Sequence, residues 1–249
     1  MNRGLAFTYG KQCVADTVVA ISKRWMMVGA VALVMAIPVI AQNAELQEKL
    51  AAVKQAAAEN KQKLRQYQWT ETLQLTLKGD AKPPSENLCR YGPNGNVEKT
   101  AIGLPPEKPS GGKVKQRIIE KKKGEMKEYM QDVKVLLDMY VPPDPQKMQQ
   151  AYQAGKVSLN PVGGVVNLIL KDYAQAGDQM TLAFDTATKK LTTLNINTYM
   201  GQSKDVVTLQ VQMASLPDGT NYPQQSVLNA TAKQLVVTTT NSDYQKLGG

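Results

Sequence analysis

Residues 67–78 read YQWTETLQLTLK, and this stretch decides the fold because polar residues alternate with apolar or aromatic ones, with Glu71 as the one exception. Successive side chains of a β-strand point to opposite faces of the sheet. One face of the predicted strand carries Tyr67, Trp69, Glu71, Leu73, Leu75 and Leu77. A carboxylate on an otherwise apolar face needs a hydrogen-bond partner or a position at a rim, so we expect Glu71 at an edge or a bulge.

A helix is predicted directly before this strand, over residues 43–66. Its apolar residues recur at helical spacing in a segment rich in Ala, Lys, Glu and Gln, and they are Leu46, Leu50, Val53, Ala57 and Leu64. The apolar stripe is narrow, which is typical of a helix that packs on a sheet through one side.

Two more strands and two helices are predicted after it. Residues 86–91 and 97–102 are strand-like and are separated by the turn signal Gly92-Pro93-Asn94-Gly95. A Pro/Gly-rich loop, residues 103–112, precedes a helix over 114–140. Asp144 followed by Pro145 predicts the start of a short helix that ends near Gly155.

The last third of the chain is predicted to be a meander of strands. The runs are 165–173, 180–185, 191–200, 206–216 and 226–240, the last being one strand or two strands broken near Lys233. Short turns between neighbours favour antiparallel pairing. The sequence therefore predicts the α+β class: a curled antiparallel sheet, or half-open β-barrel, covered by an N-terminal helix and a mid-chain helical pair.

The first 41 residues are typical of a secretory signal. Lys23 and Arg24 precede an apolar run that ends at Ala41. The run is shorter than the ~20 residues of a spanning helix, although an uncleaved anchor stays open as the alternative. We expect cleavage near Ala41, a single domain over residues 42–249, and a periplasmic or secreted location.

The composition argues against most catalytic and metal sites. The chain has no His, which excludes Ser-His-Asp triads and His-ligated zinc. Cys89 would be the one cysteine after cleavage, and we expect it to be a buried small hydrophobe. Ser110 and Lys113 have the spacing of penicillin-binding enzymes but lack the other motifs of that class. The sequence predicts no enzyme, no catalytic residue, no metal and no cofactor.

The layout resembles the superfamily of periplasmic lipoprotein carriers, which includes the outer-membrane lipoprotein-sorting chaperone and an envelope-stress regulator. The stretches that carry the resemblance are 67–71 (YQWTE), 184–191 (FDTATKKL) and 216–223 (LPDGTNYP). The resemblance implies a half-barrel with a helical lid that holds acyl chains in an apolar cavity.

Two sets of residues are candidates for ligand contact. The predicted lining of an apolar cavity comprises Tyr67, Trp69, Leu73, Leu75 and Leu77 of the strand with Met126 and Met130 of the long helix. Lys121, Lys122 and Lys123 are candidates for contact with a head group or a membrane surface. The alternatives are that the apolar residues form ordinary core and that the lysines form a solvated helix face.

These observations favour an exported, non-catalytic binding protein of the cell envelope that holds an apolar or lipidated ligand between half-barrel and helices. The alternative is an envelope protein-interaction module, structural or regulatory, with a closed core and no ligand. The expected partners are a lipid, a lipidated protein or another envelope protein, with transient contact to a membrane surface. No nucleic-acid partner is expected, because the basic residues 113–127 belong to no recognisable binding motif.

Overall fold

The computed structural model of the protein describes residues 59–103 and 113–248, with residues 113–120 and 123 described by their backbone alone. Residues 59–64 are helical and are called α1 here. The other helices are α2 (Lys113–Leu137) and α3 (Pro145–Gln153). The strands are β1 (Tyr67–Leu77), β2 (Asp80–Ala81), β3 (Ser85–Tyr91), β4 (Val97–Ile102), β5 (Val157–Val162), β6 (Val165–Lys171), β7 (Gln179–Asp185), β8 (Leu191–Tyr199), β9 (Val206–Ser215), β10 (Asn221–Ala230) and β11 (Leu235–Lys246).

A single antiparallel sheet contains all eleven of these strands. Its order is β4-β3-β1-β11-β10-β9-β8-β7-β6-β5, and β2 pairs with β1 beside this path. Within the described residues β4 and β5 do not pair, so the sheet stays open between them. The predicted class, α+β with a curled, half-open antiparallel sheet, is confirmed.

The first and last strands in chain order, β1 and β11, lie side by side in the sheet. β1 pairs with β11 in a register that sets Glu71 opposite Asn241 and Leu73 opposite Thr239. A bulge between Gln68 and Thr70 shifts this register near the end of β11. As a result β1 is an internal strand, with β3 on its other side.

The strands differ from prediction at several places: β2 lies at a predicted turn, and β10 and β11 extend beyond the predicted run 226–240, to Asn221 and Lys246. β5 was not predicted, because Ser158, Asn160 and Pro161 interrupt its apolar residues; it forms a hairpin with β6 through Gly163 and Gly164, both at positive φ. The long last run is indeed two strands, broken by a 3-10 turn at Thr231–Lys233.

The helices follow their sequence signals where the structure describes them. Asp144 caps α3, since its Oδ1 accepts the N–H of Gln146 at 2.8 Å, and Pro145 occupies the first turn. In α2, burial begins at Tyr129 among the residues with described side chains. The predicted signal and most of the predicted first helix lie outside the described residues. Within the described ranges no helix is long and apolar enough to span a membrane.

Two groups of buried apolar residues lie on the inner face of the sheet. The main cluster joins α2 and α3 to β1 and β6–β11, and it includes Met130, Val133, Leu137, Leu182, Leu194 and Val237. The second group, the aromatic cluster, comprises Leu64 of α1 with Trp69, Cys89, Tyr91 and Val97, and Tyr222 and Tyr244 pack against it. β1 belongs to both groups, because Trp69 and Leu73 lie on the same face of that strand.

Candidate functional site

Five of the seven predicted lining residues belong to one group. Leu73 and Met130 are buried members of the main cluster, and Leu75, Leu77 and Met126 pack against it while staying partly exposed. The alternation of β1 brings the three leucines to the inner face, and the helical period of α2 brings the two methionines there. The two partly exposed leucines, Leu75 and Leu77, lie at the margin of the main cluster.

Tyr67 and Trp69 are separated from these residues: Trp69 belongs to the aromatic cluster, and the ring of Tyr67 contacts Tyr244 beside it. Trp69 Nε1 donates to Asn241 Oδ1 at 3.1 Å, and its ring stacks on Tyr244 with 5.6 Å between centroids. The Tyr67 hydroxyl donates to Asp218 Oδ2 at 2.9 Å and is partly exposed. Both side chains are therefore held by contacts that keep them away from α2.

Glu71 separates the two groups, and the expectation that it lies at an edge or bulge is wrong. Its side chain is 2% exposed, in an internal strand and beyond the bulge. Its carboxylate forms an ion pair with the ammonium of Lys99, which is 12% exposed. Lys99 lies on β4, two strands away, opposite Cys89 of β3, and its long side chain reaches diagonally across β3.

More polar residues continue this line across the inner face. Asn241 lies opposite Glu71; it accepts from Trp69, and its Nδ2 donates to the carbonyl oxygen of Pro223 at 2.8 Å. Thr239 is 1% exposed, and its Oγ1 is buried without a hydrogen-bond partner. Sequence reasoning missed both residues, although the inward positions of β11 change from Leu235 and Val237 to these polar side chains.

The sheet face beside Glu71 is partly exposed to solvent. Ser85 lies opposite Leu73 and Asn87 opposite Glu71, and both are partly buried, while Ala101, opposite Asn87, is exposed. We call this surface the open corner and define it by Leu75, Leu77, Ser85, Asn87 and Ala101, all on the inner face. The Glu71–Lys99 pair forms its inner end.

Beneath α2 the helix and the sheet are in direct contact. Met130, Val133 and Leu137 on the helix have no exposed surface, and Leu194 and Val237 on the sheet have none either. Such close packing is typical of a protein core. A ligand would therefore find no room under the described, buried half of α2, whereas the side chains of the open corner keep some exposed surface.

Another buried carboxylate, Asp178, has a structural role. It is 2% exposed and accepts the Tyr140 hydroxyl at 2.6 Å. It also accepts the backbone N–H groups of Tyr173, Ala174 and Gln175, so it organises the loop between β6 and β7. All the hydrogen bonds described for the Asp178 carboxylate are to other residues of this chain, which is why we assign it a structural role.

The remaining candidate residues are Cys89 and the three lysines of α2. Cys89 is buried as expected, and its burial, with the Glu71 charge adding to it, raises the pKa of the thiol to about 12. Lys121 and Lys122 are exposed, and the side chain of Lys123 lies outside the described residues. The described part of the chain contains no group of three or more His, Cys, Asp or Glu residues that could hold a metal ion.

Comparisons with known proteins give little beyond this geometry. No family model matches the chain, and no curated protein matches it. A solved structure of a DUF1329 family protein from Desulfovibrio piger is similar over 78% of this chain and 93% of its own, with 10% identity and a TM-score of 0.34. A likeness this weak supports no argument about family or activity.

Proposed function

We propose that this chain is an exported, non-catalytic binding protein of the cell envelope, which holds an apolar or lipidated ligand at the open corner. The observation that carries the proposal is the partly exposed pair Leu75 and Leu77, which extends the apolar face of β1 beyond the main cluster. Acyl chains bind through the removal of apolar surface from water, and partly exposed leucines beside a packed core offer some such surface.

The energy available at this surface is moderate. Full burial of one leucine stabilises by about 1.5–3 kcal/mol, so covering the remaining exposed parts of the two partly buried leucines supplies roughly 1 kcal/mol. The exposed surface of the ligand chain adds about 25 cal/mol per Å². This suits reversible binding of a kind that a carrier or sensor needs.

The proposed location in the cell envelope rests on residues 1–41, which the proposal takes to be a secretory signal. The exposed Lys121 and Lys122 of α2 would favour transient contact with an anionic membrane surface, at about 1 kcal/mol for each charge. The binding partner would be a lipid or a lipidated protein.

A second function is favoured by a different observation. The main cluster is closely packed beneath α2, as expected for a protein-interaction module with a closed core. In that case Leu75 and Leu77 would be the margin of the core, the protein would hold no ligand, and its partner would be another envelope protein.

The experiment is native mass spectrometry of the protein, purified from an exporting host without detergent, for the wild type, Leu75→Glu and Thr76→Glu. Thr76 is the matched control, because it is partly buried on the opposite face of the same strand. Circular dichroism checks that each variant keeps its sheet.

The proposal expects an added mass on the wild type and on Thr76→Glu that organic extraction identifies as lipid, and its loss from Leu75→Glu. A bare chain mass that persists after incubation with envelope lipids would refute the proposal and favour the interaction module. Loss of both ligand and fold in Leu75→Glu would identify Leu75 as core, and Leu77→Glu would then repeat the test at the more peripheral position.

A further inference from the structure

The outer face of the sheet carries a regular array of uncharged polar side chains. Both buried clusters, with the helices that join them, lie on the inner face, so the described helices leave the outer face uncovered. On the strands β1, β11, β10, β9 and β8 the register aligns outer residues in rows that cross the strands. One row consists of Thr72, Thr240, Gln225, Gln212 and Thr193.

Two more rows run beside this one, and we call the three rows together the polar array. They extend from Gln74 to Asn195 and from Thr76 to Asn197 in the same register. Of the fifteen residues, thirteen are Thr, Gln or Asn and two are Val. Neighbouring strands are about 4.8 Å apart and alternate residues of a strand about 6.7 Å apart, so the array measures roughly 19 by 13 Å.

The polar array contains no charged residue, which is unusual for a solvent-facing surface. Charged residues make up 20% of the chain, so about three would be expected among fifteen positions, and surfaces usually carry more than the average. Charge returns at the next strand, where Glu86 of β3 lies opposite Thr72. The absence of charge therefore belongs to a surface with a defined border.

The side chains of the first row keep their hydrogen-bonding capacity. Gln225 and Gln212 are exposed, and the three threonines are partly exposed. Among the described residues none of the five side chains has a hydrogen-bond partner. A threonine hydroxyl and a glutamine amide each donate and accept, so the row offers both functions at intervals of about 4.8 Å.

The chemistry of the polar array argues against most classes of partner. Protein interfaces are enriched in aromatic residues and Arg, and nucleic acids and anionic lipids bind to Lys and Arg; the array contains none of these residues. Two valines give too little apolar surface for an acyl chain. A neutral polysaccharide fits, because its hydroxyl groups both donate and accept hydrogen bonds and recur along the polymer.

We propose that the polar array binds an uncharged polysaccharide, whose chain lies along the rows and crosses the five strands. A single hydrogen bond at an exposed site adds little affinity, but a polymer makes many such contacts at once. The array is on the opposite face of β1 from the open corner. The inference therefore goes beyond the lipid-binding function proposed above and does not depend on it.

The test measures how much of the intact protein is removed from solution by two insoluble uncharged polysaccharides, cellulose and chitin, in about 0.1 M and 1 M NaCl. Gln212→Ala combined with Gln225→Ala removes two exposed amides that lie opposite each other in the first row. Gln150→Ala combined with Gln153→Ala is the matched control, because both glutamines are exposed on α3. Circular dichroism checks that each variant keeps its sheet.

We expect the wild type to bind at least one of the two polymers, equally well at both salt concentrations, because no charge takes part. The variant in the polar array should bind about tenfold more weakly, the effect of two hydrogen bonds, and the control should bind like the wild type. The proposal is overturned if neither polymer binds, or if the array variant binds as tightly as the control. Binding that 1 M NaCl abolishes would also overturn it, since charged residues elsewhere would then hold the polymer.

Discussion

Removing the charge of Lys99 should destabilise the protein far more than removing a charge from an exposed ion pair. In Lys99→Met the stem of the side chain is retained and the ammonium is lost. The Glu71 side chain is 2% exposed, so water cannot replace the lost partner. Breaking a buried ion pair at one partner costs about 3–5 kcal/mol in free energy of unfolding.

The matched control is an exposed ion pair between β3 and β4, next to Lys99 in the chain. Arg90 and Glu98 form an ion pair at 3.2 Å, with their side chains 61% and 47% exposed. Arg90→Met removes a cation there, and exposed pairs contribute only about 0–1 kcal/mol. Comparing Lys99→Met with Arg90→Met therefore separates the effect of losing a buried positive charge from the effect of losing an exposed one.

A double variant tests the cause of the loss. Glu71→Leu combined with Lys99→Met replaces the pair by apolar side chains of similar size, which is often neutral or stabilising. We expect its free energy of unfolding to return to within about 1 kcal/mol of the wild type, or to exceed it.

Urea unfolding followed by circular dichroism measures all of these variants. With a slope of about 2 kcal/mol per M, the expected loss in Lys99→Met lowers the midpoint by roughly 2 M. The reasoning is refuted if Lys99→Met loses no more stability than Arg90→Met. It is also refuted if the double variant is as unstable as the single one, because the loss would then come from packing.

Three further predictions follow from other buried groups. Asp178→Asn should lower the Tm measured by calorimetry by several degrees, because it replaces a buried charged acceptor by an amide. The control Asp172→Asn, at an exposed carboxylate, should change the Tm much less. The Cys89 thiol, with its pKa raised to about 12 by burial, should resist iodoacetamide at neutral pH in the folded protein and react fully in urea; rapid labelling of the native protein would contradict its buried position. Burial raises the pKa of Tyr129 and of Tyr173 to about 12, above the ordinary value of 10.0. Between pH 10.0 and 12 the phenols therefore stay protonated in the folded state and ionise in the unfolded state. The free energy of unfolding should fall as the pH rises through this range. Tyrosinate absorbance and circular dichroism recorded together would test this, and ionisation of both phenols near their ordinary pKa with the fold intact would contradict it.

The elements that were predicted correctly are those whose secondary structure is determined by residues close together in the chain. The period of two over residues 67–77 predicts β1 without knowledge of its neighbours, and Asp144 with Pro145 predicts the start of α3. β5 was missed because its composition is polar and includes Pro161, and it is held as a strand by pairing with β6.

The candidate site was predicted in part. The predicted apolar face of β1 is correct as a face, yet its residues divide between two clusters. Trp69 packs with the aromatic residues, while Leu73 packs with α2. The ion pair of Glu71 could not be predicted from alternation, because its partner is on β4, and nothing local to residue 71 indicates a lysine two strands away.

The sequence alone determined which side chains share a face, since that depends only on the backbone period of each element. The tertiary structure decided which faces meet. The pairing of β1 with β11 sets Glu71 beside Asn241 and Leu73 beside Thr239, and the order β4-β3-β1 brings Lys99 within reach. Strand order and register arise from contacts between residues far apart in the chain, so the open corner and its polar inner end exist only in the folded protein.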